Sequence, residues 1–454
     1  MRSNVNKLSC FKAYDVRGKV PDELNEDIAF NIGRAYAQIF KPKKIVIGYD
    51  VRLSSKNITD ALEQGITKSG VDVVNIELCG AEQIYFAAFH LKMDGGIMVT
   101  ASHNPSFYNG MKFVRERAVP ISSDSGLADI EKAVIEKNFP ASSSKGKIEN
   151  ININDDYKKH ILSYIDTTSL KSFKVVSNAG NGCAGPIIDL LEKALPFNFI
   201  KLNNKPDGTF PSGVPNPLLA ENRKSTESAV KKERANVGIA WDGDFDRCFF
   251  FDEKGTFIDG YYIVGLLAEH ILKTNPGEKI IHDPRVVWNT IELVKKAGGV
   301  PIQSKAGHAF MKEKMRAEDA IYGGEMSAHH FFRKFSYCDS GMIPWLLVLE
   351  IMSVRDCSLS LLVEDRIKQY PSSGEINCHI KDTAVVTRNI IKKYREKAEK
   401  VDTIDGVSME FELWRFNLRP SNTEPFIRLN VESKRDHKLM EEKTEEILEI
   451  LQTM

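Results

Sequence analysis

The sequence has no surplus of charge: 62 Lys and Arg balance 62 Asp and Glu over 454 residues. Affinity for a phosphate backbone rests on surplus cations, so the balance argues against a general nucleic-acid binder, while a local basic pocket is still allowed. Cysteine is sparse. Cys10, Cys79, Cys183, Cys248, Cys338, Cys357 and Cys378 are scattered, odd in number and form no C-x-x-C. Neither a disulfide framework nor a zinc site is expected, and a reducing compartment fits. Long hydrophobic runs are also missing. MRSNVNKLSC at the N-terminus lacks the apolar core of a signal peptide. The stretch MIPWLLVLEIM (342–352) is too short for a bilayer and contains Glu350, so it reads as a buried helix. The expectation is a cytoplasmic protein with no nucleic-acid or membrane partner.

The chain is too long for one simple core. KIVIGYD (44–50), VDVVNIEL (71–78) and GGIMVTAS (95–102) read as strands, with a helix over 55–69. This series predicts a mostly parallel sheet. The Ser- and Lys-rich stretch 140–150 reads as a linker. A second α/β unit has strands at 173–180 and 237–244, and a third follows the hairpin-like FFFDEKGTFIDG (249–260). A small α+β unit closes the chain, with strand text at 376–380, 407–412 and 426–433 and helices at 384–399 and 436–452. The expected domains are 1–148, 149–249, 250–367 and 368–454. No short-period repeat is visible, but three successive α/β units point to an old triplication.

Four stretches carry chemistry. In VTASHNP (99–105), Ser102 follows directly on an apolar strand, where ligand sites form in open parallel sheets. It reads as a presented side chain; an ordinary β-turn serine is the plainer alternative, and no G-x-S-x-G elbow is spelled. In WDGDFDRCFF (241–250), Asp242, Asp244 and Asp246 alternate after a strand. Close carboxylates repel, and a hard cation with oxygen ligands relieves them. Arg247 stands where an EF-hand needs glycine, so that motif is rejected. Mg²⁺ suits phosphoryl transfer, and Arg247 could reach phosphoryl oxygens. RPSNTEPFIR (419–428) offers Arg419, Ser421, Asn422, Thr423 and Arg428 as a loop able to clamp phosphate, or as a plain polar loop. GGEMSAHHFF (323–332) offers Glu325 and Ser327 for two sugar hydroxyls; its pair His329 and His330 has no obvious third metal ligand. Gly180, Gly182 and Gly185 spell G-x-G-x-x-G, but the next strand ends in Asn203 and Asn204 rather than an acid, so a tight strand–helix turn is favoured over dinucleotide binding.

Together these motifs resemble the α-D-phosphohexomutase superfamily, most closely its bacterial phosphomannomutase members. FKAYDVRG (11–18), TASHNP (100–105), DGDFDR (242–247), GEMSAHH (324–330) and RPSNTEP (419–425) match the family's motifs in order over essentially the whole chain. The resemblance implies an α/β fold of four domains around a central cleft: three related α/β mixed-sheet units and a C-terminal α+β domain. It implies Ser102 as a phosphorylated nucleophile and Mg²⁺ held by Asp242, Asp244, Asp246 and the Ser102 phosphate. A hexose 1,6-bisphosphate is the implied activator. Tyr14 and Arg17 are implied active-site residues. Lys112, in NGMKFV, matches a lysine near the reacting phosphate; Lys112 and His103 are both candidate general bases. Gly307 and His308, in KAGHAFMK (305–312), match a loop that approaches the sugar. Arg285, in DPRVVWNT, matches a basic residue near the phosphate. Two departures, Tyr49 and Ala328 (the latter for a frequent glycine), bear on sugar specificity rather than on ligands. The implied activity is interconversion of mannose 1-phosphate and mannose 6-phosphate, feeding GDP-mannose into surface polysaccharide, by a monomer or small homo-oligomer. A phosphoglucomutase or dual enzyme is the alternative, and a non-catalytic phosphosugar sensor is the rival of a different class.

Overall fold

The computed structural model describes residues 7–380, 382–420 and 426–452. The chain divides into two compact units. The first runs to Phe257 and takes back Phe332–Arg355; the second holds Ile258–Phe331 and the chain from Asp356 onward. No helix among the described residues is long and apolar enough to cross a membrane. The apolar run reads correctly as a helix, Ile343–Arg355, with Trp345, Leu346 and Val348 fully buried.

The first unit contains two mixed sheets. In the first, Asp72–Leu78, Lys44–Tyr49 and Gly95–Val99 are parallel neighbours, and Tyr108–Arg115 and Val16–Lys19 add antiparallel strands at one edge. The helix Glu26–Phe40 is started by Asn25, whose side chain accepts from the Ile28 N–H, and by Glu26 and Asp27 in its first turn. It packs on the helix Ser55–Lys68 so closely that a Cβ on Gly65 would lie 2.0 Å from the Phe30 carbonyl oxygen. In the second sheet, Val237–Trp241, Lys174–Asn178 and Asn198–Leu202 run parallel, and Cys248–Phe251 returns as a hairpin. The sheets overrun the expected divisions. Ile148–Asn150, within the expected linker, is a polar edge strand on Asp72–Leu78, and the hairpin carries the second sheet past 249.

The second unit repeats the parallel arrangement. Val300–Gln303, Lys279–His282 and Tyr322–Gly324 are neighbours in parallel register. It also holds an antiparallel sheet of Ile376–His379, Phe426–Ser433, Trp414–Pro420, Val407–Glu410 and Lys400–Asp402. The helices Thr383–Tyr394 and His437–Gln452 pack on that sheet around Phe416, Leu429 and Val431.

The triplication is visible in one repeated detail. At the end of the first parallel strand of each α/β layer, a side-chain carbonyl accepts the backbone N–H two residues on. Asp50 accepts from Arg52 at 3.0 Å, Asn178 from Gly180 at 3.0 Å and Asp283 from Arg285 at 2.9 Å. The neighbouring parallel strands end at Val99, Trp241 and Gly324, shortly before Ser102, Asp242 and Glu325.

In the first unit, Glu82 is fully buried and accepts from Tyr157 Oη, from Ser340 Oγ at 2.9 Å and from the N–H groups of Gly341 (2.6 Å) and Met342 (3.1 Å). It ties three segments together, and the Gly341 carbonyl in turn accepts from Trp241 Nε1, one residue before Asp242. Glu82→Gln turns part of this acceptor into a donor facing donors. It should lower stability by about 3 kcal/mol, read as a fall in the urea midpoint.

Candidate functional site

Ser102 is buried and holds a left-handed backbone, φ +47°. Its Oγ donates to Asp242 Oδ2 at 2.8 Å and lies 3.1 Å from His103 Nδ1. A non-glycine residue in this region stores strain, so its surroundings must hold it there. They do so through Arg52, which sequence reasoning missed. Arg52 donates to the carbonyls of Ser102 (2.9 Å), Asn104 (2.6 Å), Pro105 (2.7 Å) and Tyr108 (3.0 Å). Its Nε is held by Asp50, which also accepts from Thr100 Oγ1 at 2.7 Å. The signal was present as Asp-x-Arg after a strand, in GYDVRLSS.

The Asp242, Asp244 and Asp246 carboxylates offer oxygens within 4.8 Å of one another, all buried. A Cβ at Gly243 would lie 2.5 Å from the Ser102 carbonyl oxygen, so only glycine lets this loop close on the serine loop. Two cations meet the three acids. Lys112 Nζ lies 2.7 Å from Asp244 and 2.5 Å from Asp246. Arg247 Nη2 lies 2.7 Å from Asp242, and the same nitrogen contacts His103 Nδ1. Burial pushes the Asp242 carboxyl up to about 6, aided by Asp246 and Asp244 and opposed by Arg247. Burial would lower the Lys112 ammonium, but Asp244 and Asp246 outweigh it and hold the group charged. Burial, then Arg247 and Arg17, keep the His103 imidazole neutral. Arg17 donates to Asn104 at 2.7 Å and pairs with Asp15, and Tyr14 is half-buried in the turn just before.

These residues fit a hard divalent cation. The donors are all oxygens, the acids outnumber the two cations, and the buried Asp244 Oδ1 has no hydrogen-bond partner among the described residues.

A separate cluster lies in the second unit. Glu325 is 2% exposed; it accepts from Gly307 N at 2.7 Å and pairs with His329 Nδ1 at 3.1 Å and Arg285 Nη2 at 3.6 Å. Burial would raise its carboxyl, but His329, Arg285 and the Gly307 N–H bring it down to about 2. Arg285 Nη2 also reaches Ser327 Oγ at 3.2 Å, and the His308 ring lies 6.2 Å from that of His329. His330 is a core residue, bonded to Tyr322 Oη at 2.7 Å. Ala328 sits at φ +71°, where a glycine would be unstrained. Arg419 is a strand residue rather than a loop residue, and Arg428 lies on the strand expected over 426–433. The two face each other because Trp414–Pro420 and Phe426–Ser433 form one long antiparallel ladder. Ser421, Asn422 and Thr423 lie outside the described residues.

Four family profiles match the chain: phosphoglucomutase/phosphomannomutase α/β/α domain I over residues 9–141, domain II over 155–255, domain III over 259–370 and the C-terminal domain over 375–450. The chain is 57% identical to a phosphomannomutase of Salmonella montevideo, over 98% of this chain and 100% of that one, and 56% identical to one of Escherichia coli K12 with the same coverage. Among solved structures it is similar to a phosphoglucomutase/phosphomannomutase family protein of Burkholderia thailandensis. That match has a TM-score of 0.88 at 32% identity, covering 98% of this chain and 97% of that one.

Two outcomes test this geometry. Asp244→Asn should weaken Mn²⁺ binding by about tenfold or more in electron paramagnetic resonance titration, since it removes one anionic ligand. Arg52→Lys keeps the charge but loses the fork. Amide hydrogen exchange over residues 102–108 should then rise by roughly tenfold or more, as local opening becomes easier.

Proposed function

This chain belongs to the phosphoglucomutase/phosphomannomutase family of phosphosugar isomerases, and we propose that it interconverts mannose 1-phosphate and mannose 6-phosphate through phospho-Ser102 and a hexose 1,6-bisphosphate. The observation that carries this reading is the Ser102 hydroxyl, buried 2.8 Å from Asp242 in an acidic cluster flanked by Lys112 and Arg247. Such a site serves a reaction whose transition state spreads negative charge over phosphoryl oxygens.

In the forward half, the Oγ–P bond of phospho-Ser102 breaks as a bond forms from phosphorus to the free hydroxyl oxygen of a bound hexose phosphate. The hydroxyl proton leaves to a base, and a proton returns to the departing Ser102 Oγ. His103 is placed for that role, with Nδ1 3.1 Å from Ser102 Oγ, whereas Lys112 Nζ is held between Asp244 and Asp246. The bisphosphate then turns round, and the sugar O–P bond of its other phosphate breaks as that phosphorus bonds to Ser102 Oγ; the Oγ proton passes to an acceptor at hydrogen-bond distance, His103 Nδ1 or Asp242 Oδ2, and a proton goes to the departing sugar oxygen. When held by Asp242, Asp244, Asp246 and the Ser102 phosphate, Mg²⁺ would neutralise charge on the transferring group. Arg247 and Lys112 supply fixed positive charge beside it. Glu325, Ser327, His308 and His329 would read sugar hydroxyls, Arg285 would assist them, and Tyr14 and Arg17 would line the approach. Arg419 and Arg428 would hold the idle phosphate, joined by Ser421, Asn422 and Thr423. Mannose is favoured by Met326 within GEMS and by the names of the relatives more than 50% identical to the chain. The product would feed activated mannose into surface polysaccharide.

The test is a coupled assay of mannose 1-phosphate conversion with Mg²⁺ and a trace of glucose 1,6-bisphosphate, run beside glucose 1-phosphate. Turnover should be faster on mannose 1-phosphate and fall by at least about 10³-fold in Ser102→Ala, the scale lost with a covalent nucleophile. Equal or faster turnover of glucose 1-phosphate would make it a dual enzyme or a phosphoglucomutase. No turnover on either sugar would sink the mutase assignment.

A further inference from the structure

Glu375 immediately precedes the strand Ile376–His379, which pairs with the strand carrying Arg428. Its carboxylate stands among three arginines. Oε2 lies 3.3 Å from Arg285 Nη1 and 3.3 Å from Arg419 Nη2, and Oε1 lies 3.9 Å from Arg428 Nε. Arg285 and Arg419 each have a carboxylate of their own as well, Asp283 at 2.7 Å and Asp405 at 2.9 Å. Glu375 is therefore the shared anion. It is needed, because Arg419 and Arg428 face each other directly across a strand pair, where like charges repel.

Its fit is incomplete. At 3.9 Å the Arg428 contact is too long for a hydrogen bond, and Arg428 Nε is buried with no hydrogen-bond partner among the described residues. A single carboxylate has two oxygens and one charge. A phosphate monoester has three free oxygens and close to two charges at neutral pH, and guanidinium forks match it well. The Glu375 side chain is also 26% exposed, so it has an exit to water.

We propose that Glu375 is an anionic placeholder in the phosphate clamp: the phosphate of a hexose phosphate displaces it from Arg285, Arg419 and Arg428, and its return helps expel that phosphate. This inference rests on the reading of Arg419 and Arg428 as phosphate ligands. Its consequence for the reaction is specific. A bisphosphate that must turn round has to let go of the clamp, and three arginines without a competing carboxylate would hold a dianion too long. Glu375 thus sets the balance between holding and releasing the idle phosphate.

The test is calorimetric titration of mannose 6-phosphate into protein carrying Ser102→Ala, which blocks turnover, with Glu375→Gln or Arg419→Met added, alongside steady-state kinetics of Glu375→Gln with Ser102 intact. Glu375→Gln should bind about tenfold tighter, as expected when a competing charge is neutralised in a partly buried site, and in the active enzyme kcat and KM should fall together. Unchanged or weaker binding would overturn the placeholder, leaving Glu375 as a structural counter-ion. Arg419→Met should bind at least about tenfold more weakly, by loss of a charge-assisted fork. If Arg419→Met binds as tightly as its parent, the clamp itself is misassigned. If it loses affinity while Glu375→Gln gains none, only the placeholder fails. Should Glu375→Gln not fold, Glu375→Asp gives the same readout, because its shorter arm withdraws the charge and should still tighten binding by about threefold.

Discussion

Two of the candidate functional loops hang on a short polar lock at the carboxyl end of a parallel strand. Asp50, Asn178 and Asp283 each accept the backbone N–H two residues on, which turns the chain sharply as it leaves the sheet. In two of the three layers the same side chain also fastens the neighbouring loop. Asp50 Oδ2 accepts from Thr100, and Asp283 Oδ2 accepts from the Met326 N–H at 2.8 Å. The loop bearing Ser102 and the loop bearing Glu325 and Ser327 are therefore fixed by the same device. What differs is the residue two places on. Arg52 turns inward and binds backbone carbonyls, Gly180 has no side chain to offer, and Arg285 turns toward Ser327, Glu325 and Glu375. The same turn thus carries a brace in one layer, a bare corner in the second and a cation beside Glu325 and Glu375 in the third.

The electrostatics divide between the two units. In the first, three buried aspartates set the field, and Lys112 and Arg247 answer it incompletely. In the second, arginines set the field and carboxylates answer. A further buried pair serves the arginine loop from behind: Arg415 Nη1 lies 2.8 Å from Glu432 and also donates to the Arg285 carbonyl at 2.9 Å, while Glu432 accepts from the Val287 N–H at 2.7 Å. A buried ion pair is weak evidence for stability. Here its geometry shows a further role, because both partners also bind the backbone around Arg285: Arg415 the carbonyls of Pro284 and Arg285, and Glu432 the N–H of Val287.

Sequence showed these parts unevenly. Parallel strands such as Lys44–Tyr49 and Val237–Trp241 were legible because strands buried on both faces read as unbroken apolar runs. The acids at 242, 244 and 246 were legible because alternation after a strand leaves little else for them to do. Polar strands were not. Trp414–Pro420 spells WRFNLRP, and its charged residues hid a ladder that turns Arg419 from a loop residue into a strand residue. Ile148–Asn150 was hidden in the same way, as a polar edge strand. Lys112 was singled out only through the family resemblance, and its placement between two aspartates was not legible. Arg52 and Glu375 were passed over because their partners are distant in sequence: carbonyls 50 to 56 residues away for one, and an arginine 90 residues away for the other.

The cost of this arrangement is concentrated where the chemistry is. Ser102 and Phe245 hold left-handed backbones at φ +47° and +44°, one in each of the facing loops, and neither is a glycine. Each such residue costs on the order of 1 kcal/mol or more relative to a relaxed turn. Phe245 is kept there by burial of its ring against Gly80, where a Cβ would lie 2.1 Å from a ring carbon. Ser102 has no such ring to bury. Its strain has to be met through the main chain, and the four carbonyls that Arg52 binds at 102, 104, 105 and 108 do this without touching Oγ. The Ser102 loop is thus held from behind through its backbone, by the arginine two residues past Asp50, while Oγ faces Asp242.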